Sequence, residues 1–281
     1  MLGQQKTGPT KQARQNKQGP ARLRASCCLC PDKMDQATDA NRNTKCGLTM
    51  EKQTEITTAQ QAVAANLSMV TRQIDIASQR AARADRPRLV AVSKRQPDDR
   101  IDAALDCGHR VFGENRVQEA QRHWSDRHAI HDDLRLHLIG ALQTNKAAEA
   151  VALFDVIEVI DRPKLARALA AEMQKANRQL DCYIQVNTGE EAQKSGVMPD
   201  DLDALLAMCR GECGLRITGL MCIPPAEEEP AMHFALLRSM AERHALPELS
   251  MGMSGDFEDA IALGATSVRV GSAIFGARDA L

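Results

Sequence analysis

A chain of 281 residues with 43% hydrophobic side chains can bury a large core, and its length fits one barrel of about 250 residues or two small domains. Aromatics at 2% remove the stacking surface that binding of single-stranded nucleic acid needs, and a formal net charge of -1 gives no broad field for a polyanion. No apolar run approaches the roughly 20 residues of a membrane helix and nothing resembles a secretory h-region, so a cytoplasmic protein is expected.

Residues 1 to about 50 form a leader rich in Gln, Lys, Arg, Thr and Asn, with basic charge at Lys6, Lys11, Arg14, Lys17, Arg22 and Arg24. Such a segment buries too little surface to offset its chain entropy and is expected to be disordered. It lacks the stripe of an amphipathic transit peptide. An alternative start of translation near Met50 would leave it outside the working protein, and an intact Met1 in the native protein would exclude that idea. Cys27, Cys28, Cys30 and Cys46 fall in this leader. The Cys27/Cys30 spacing lacks the second pair that structural zinc sites show, so no metal is expected. Cys107, Cys182, Cys209, Cys213 and Cys222 lie in apolar periodic segments, where free cysteine acts as a small hydrophobe.

From Thr57 to about Arg83, Ala62, Val63, Leu67, Val70, Ile74 and Ile76 recur at helical spacing. Arg88-Leu89-Val90-Ala91-Val92-Ser93-Lys94 then reads as a strand buried on both faces. Helix-length and strand-length segments alternate from there. Helices are predicted over 97–107, 117–124, 143–153, around 164–173, and over 201–209, 234–244 and 257–263. Strands are predicted over 110–115, 136–140, 156–161, 182–187, 217–223, 249–254 and 268–275. Eight strands separated by helices is the count that closes a parallel (β/α)8 TIM barrel spanning 51–281. A doubly wound open sheet is the alternative, but no Gly-x-Gly-x-x-Gly turn follows the first strand.

A barrel should gather polar residues at the carboxyl ends of its strands. The sequence places Lys94, Glu114, Asn115, Gln143, Asn145, Asp161, Asn187, Ser254, Gly271 and Ser272 there. A lysine at a strand end either runs out into water or turns inward as an amine able to form a Schiff base with an aldehyde. Ser254, just ahead of the helix at Phe257, is placed to cap that helix and to offer a hydroxyl to an anion. Gly271 permits close approach of backbone to a ligand, and Ser272 adds a hydroxyl and an N–H. Arg269 alternates with Val268 and Val270, so a buried strand carries a guanidinium that needs a partner. A ligand ring nitrogen would serve, and so would Glu114 or Asp161.

Ala91-Val92-Ser93-Lys94, the run 112–119 (Phe-Gly-Glu-Asn-Arg-Val-Gln-Glu), the run 137–146 (His-Leu-Ile-Gly-Ala-Leu-Gln-Thr-Asn-Lys), the run 249–254 (Leu-Ser-Met-Gly-Met-Ser) and the run 268–276 together resemble the YggS/PROSC family of pyridoxal phosphate homeostasis proteins. The resemblance covers roughly Thr57 to the end. It implies a single barrel of the alanine racemase N-terminal type that holds pyridoxal 5′-phosphate as a Schiff base on Lys94. It further implies that Ser254, Gly271 and Ser272 bind the phosphate, that Asn115 lies near the cofactor, and that Arg269 faces the pyridine nitrogen and keeps it unprotonated. Ser272 stands where the family commonly has threonine, and Gly255 where an acidic residue is common. The implied function is carrying, buffering or delivering the cofactor, with PLP-requiring apoenzymes as recipients and little turnover of its own. The alternative is a PLP-dependent amino-acid racemase. In the alanine racemase family the second acid/base is a tyrosine from a separate domain of the partner subunit. No such domain is expected after the eighth predicted strand, and the single tyrosine, Tyr183, has apolar neighbours, which favours the carrier. With few aromatics and no obvious apolar stripe, a monomer is expected.

Overall fold

The computed structural model describes residues 43–276, with side chains from residue 58 onward. The leader's first 42 residues, with Cys27, Cys28 and Cys30 and the expectations of disorder and of no metal that fall on them, lie outside the described residues. Helix α1 (Asn43–Arg80) precedes β1 (Arg88–Val92), α2 (Asp98–Asp106), β2 (Val111–Glu114), α3 (Val117–Ile130) and β3 (Arg135–Leu138). A single 3-10 turn at Thr144–Lys146 leads into α4 (Ala147–Leu153), followed by β4 (Val156–Ile160), α5 (Pro163–Ala176), β5 (Asp181–Val186) and, after a second 3-10 turn at Pro199–Asp201, α6 (Leu202–Gly211). The chain then forms β6 (Arg216–Cys222), α7 (Pro230–Arg243), β7 (Glu248–Ser250), α8 (Phe257–Ala262), β8 (Ser267–Val270) and α9 (Ser272–Phe275).

The eight strands pair in sequence order and close as a barrel, β8 returning to β1 in parallel with Leu89 opposite Val268 and Val90 opposite Arg269. All neighbours are parallel, which puts helices outside and buries both faces of each strand, as in β4, where all five residues are buried. Local signals set the element ends. Asp98 and Asp99 complement the positive end of α2, and Gly108, at φ +82°, terminates it while its N–H reaches the Leu105 carbonyl at 2.9 Å. Pro163 opens α5, and Asn177 closes it in the left-handed region at φ 47°.

Three expected element ends need correction, the first being the seventh strand, which stops at Ser250 rather than at Ser254. The eighth strand ends at Val270, not Phe275. Ser272–Phe275 instead turn into α9, with the Ile274 and Phe275 N–H groups both 2.9 Å from the Gly271 carbonyl. A short apolar run can be buried by either period, and here the helical one buries Ile274 and Phe275. Neighbouring elements complete α9: Asn66 of α1 donates to the Ile274 carbonyl at 3.0 Å and Arg100 of α2 to that of Phe275 at 3.2 Å. The third helix runs six residues past its expected end at Trp124, and within that extension Arg127 bridges to Asp98 and Asp102 of α2 at 3.0 and 2.7 Å.

Candidate functional site

Lys94 stands two residues beyond β1, at the carboxyl mouth of the barrel. The chain reaches it through Ser93, which is fully buried, takes the Gly113 carbonyl with its N–H at 3.1 Å and donates its hydroxyl to Glu114 Oε1 at 2.7 Å. That same oxygen accepts from Trp124 Nε1 at 3.1 Å and pairs with His123 Nδ1 at 2.9 Å. Glu114 and Ser93 therefore tie the ends of β1 and β2 to α3. Glu114 is committed to this cluster and does not serve Arg269, contrary to one of the two protein partners expected for it.

A cavity of about 270 Å³ opens at the mouth, close to the lower end of the roughly 300–1,000 Å³ of small-molecule sites. All six residues that the family resemblance assigns to the cofactor line it, namely Lys94, Asn115, Ser254, Arg269, Gly271 and Ser272, whereas Glu114, Gln143, Asn145, Asp161 and Asn187, also expected at strand ends, do not. Val92, Ile139, Ile223 and Met253 supply apolar wall. A larger, more open groove of about 670 Å³ lies among Arg167, Gln174, Arg178 and Leu215. It sits beside the loops that enter β5 and β6, on the rim opposite the one where barrels do chemistry, and holds none of the six.

Ser254 and Ser272 meet side by side on the cavity wall. The Ser272 hydroxyl lies 3.3 Å from Ser254 Oγ, and the Gly271 N–H donates to Ser254 Oγ at 3.4 Å. Ser254 does not cap the helix after it. Asp256 occupies the cap position of α8, and its Oδ1 instead receives the Met253 N–H at 2.5 Å. The serine hydroxyl is thereby left at the cavity. Gly271 has an ordinary negative φ of -116°, so its role is room: a Cβ there would lie 3.3 Å from Val92. Asn115 is held from below by Gly140, where any Cβ would fall 2.5 Å from the Asn115 carbonyl oxygen. Asn115 Oδ1 is buried with no hydrogen-bond partner among the described residues.

Arg269 is 4% exposed, and its partners differ from both protein partners expected. Nη1 donates to Ser250 Oγ at 2.6 Å and Nη2 to the Cys222 carbonyl at 2.8 Å. Ser250 in turn donates to Glu158 Oε2 at 2.6 Å, and Glu158 Oε1 meets His137 Nδ1 at 2.6 Å. Burial pushes the Glu158 carboxyl up, but hydrogen bonding and charge from His137, the Arg269 guanidinium and the Ser250 hydroxyl outweigh it and hold it below the usual carboxylate value. Asp161, the other expected partner, pairs with its neighbour Arg162 at 2.5 Å. Glu158, Ser250 and His137 were missed in the sequence. The available signal was a carboxylate inside the apolar run 156–160, the mirror of Arg269 inside its own strand.

Burial pushes the Cys222 thiol up to about 12 despite the opposing pull of Arg269, so it stays protonated beside the cavity. Tyr183 is 2% exposed, its hydroxyl 3.3 Å from Glu248 Oε2, and burial raises its pKa further, with Glu158 and Glu248 adding to the effect. It does not line the cavity.

The model of the alanine racemase N-terminal domain matches residues 53–279. The pyridoxal phosphate homeostasis protein of Escherichia coli K12 is 40% identical over 229 residues, which cover 77% of this chain and 97% of that protein. This chain belongs to that family. A structure of PipY from Synechococcus elongatus with PLP bound is 34% identical, covers 76% of this chain and all of that one, and superposes with a TM-score of 0.66. Alanine racemase from Bartonella henselae, at 16% identity and a TM-score of 0.61, shares the fold alone, and the match spans 59% of its chain. The family match begins near the residue where the resemblance to other members was first legible, and it takes in the whole barrel.

Proposed function

We propose that this protein holds pyridoxal 5′-phosphate at the mouth of its barrel and keeps intracellular PLP available, with little or no turnover. The observation that carries the reading is the convergence on one cavity of an amine, two adjacent hydroxyls and a buried guanidinium drawn from β1, β7 and β8. The residues fit the group. When bound, PLP supplies an aldehyde that condenses with an amine, losing water, and a ring whose electron-withdrawing power depends on protonation at its nitrogen. Lys94 provides the amine. Ser254, Ser272 and the backbone at Gly271 offer donors to the phosphate. Val92 and Ile139 give the ring an apolar wall, and Asn115 Oδ1, buried without a partner, is a ready acceptor. Arg269 is a donor with no acceptor of its own, so a ring nitrogen facing it accepts and stays unprotonated, which weakens the ring as an electron sink.

The same reading places the working protein in the barrel of residues 51–281, in the cytoplasm, as a monomer, handing cofactor to PLP-requiring apoenzymes. Among the described residues no helix is long and apolar enough to cross a membrane. A racemase needs a second acid/base at the cofactor, and Tyr183 does not reach the cavity.

The test is direct. Purified protein loaded with PLP should be fixed by borohydride, with the added mass on the peptide carrying Lys94, and Lys94→Ala should show no adduct while folding normally. An adduct on another lysine overturns the assignment. Chiral analysis after incubation with single L-amino acids should show no racemisation, and turnover of about 1 per second or more would make the protein an enzyme.

A further inference from the structure

Four side chains on four strands form an unbroken chain across the barrel interior: Arg269 on β8, Ser250 on β7, Glu158 on β4 and His137 on β3. All three links measure 2.6 Å, and none of the four residues is more than 4% exposed. Only Arg269 reaches the cavity. We infer that Ser250, Glu158 and His137 are positioning residues that fix the Arg269 guanidinium and thereby set the electronic state of the bound cofactor ring; the inference rests on the reading above.

The polarity of the chain is determined by its chemistry. An ionised carboxylate only accepts, so Ser250 must give its one proton to Glu158. The serine lone pairs are then turned to Arg269, whose Nη1–H donates to them. With Nη2 anchored on the Cys222 carbonyl, two of the five guanidinium N–H bonds are spent on fixed partners in different directions, which locks the plane of the fork. The negative charge of Glu158 lies one hydroxyl away, so the arginine's charge is balanced without direct contact. His137 donates through Nδ1 to the far oxygen, which occupies both carboxylate oxygens and keeps Glu158 from rotating. His137 Nε2 is buried with no hydrogen-bond partner among the described residues, so Nδ1 is the ring's one contact with the chain of four. A carboxamide at 158 breaks this logic: its NH2 can donate to Ser250, whose proton then turns toward Arg269 and repels it.

The experiment uses the full-length protein loaded with PLP at one pH, comparing the ratio of its absorption bands and its equilibrium affinity in Ser250→Ala, Ser250→Thr and Glu158→Gln. Borohydride fixation of the wild type is run alongside. If the wild type does not fix PLP, the cofactor reading itself fails. If it does, Ser250→Ala and Glu158→Gln should shift the band ratio and weaken PLP by roughly tenfold, about 1.4 kcal/mol, while Ser250→Thr, which keeps the hydroxyl, restores the wild-type spectrum. Ser250→Ala removes one oxygen and serves where Glu158→Gln fails to fold. Spectra superimposable on the wild type overturn the inference, whether or not affinity falls, because lost affinity alone would report packing.

Discussion

Glu158 is a carboxylate with no access to water, and it remains charged only because His137, Arg269 and Ser250 surround it. Its folded-state pKa is depressed, so it contributes stability that is fully present above the ordinary carboxylate value of 4.5 and is lost as pH falls through the lower folded value. Breaking a buried charge network by removing one partner costs roughly 3–5 kcal/mol. Glu158→Gln should therefore unfold at a lower urea concentration than wild type at pH 7. The gap should narrow steadily as pH drops below 4.5, where the wild type pays to keep the proton off Glu158 and the variant does not. A gap that stays constant from pH 7 to pH 3 would mean that the carboxylate's charge is not what stabilises this layer of the barrel.

At the scale of elements, α3 is tied through Glu114 to the residue that precedes Lys94. Trp124, fully buried, packs on Phe112 of β2 with ring centroids 4.5 Å apart and donates to the carboxylate that also holds Ser93, the residue before Lys94. Trp124→Ala should cost about 3–5 kcal/mol for the cavity, followed by circular dichroism because Trp124 is the chain's one tryptophan. It should also lower occupancy by PLP, since α3 sets the ends of β1 and β2; wild-type occupancy in a destabilised variant would show that α3 supports the fold but not the mouth. The strands were legible in the sequence because parallel strands buried on both faces are continuous apolar runs. Strand-end position alone did not select the cavity residues: Lys94, Asn115, Ser254 and Ser272 stand at such ends, but so do Glu114, Gln143, Asn145, Asp161 and Asn187, which do not line the cavity, and it was the family resemblance that singled out the six. α9 was not legible, because Ala273-Ile274-Phe275 suits either period and only the packing of Asn66 and Arg100 against its end decides. The partners of Arg269 were not legible either. They depend on which residues face each other across a closed barrel, and that is set by strand stagger rather than by local pattern.

For the molecule as a whole, closure is what makes a site. Lys94 follows the first strand and Ser272 the last, and only the β8–β1 pairing, with Ala91 opposite Val270, brings them to one cavity. That mouth must stay open if cofactor is to be handed on, so the surface of the barrel bears on function. Large apolar side chains exposed among the described residues are Met69, Ile76, Ile130, Ile223, Met232 and Leu236, spread over α1, α3, the loop after β6, and α7. Apolar residues dispersed in this way are ordinary for a monomer, whereas a stable homodimer needs an interface of about 1,200–2,000 Å² with a contiguous apolar centre. Light scattering coupled to size exclusion should accordingly give the mass of one chain, 30.7 kDa, both with and without PLP. A mass twice that in either state would show that two copies share a face. A change in mass on loading would tie that face to the mouth, and cofactor release would then have to be understood as an event of the pair.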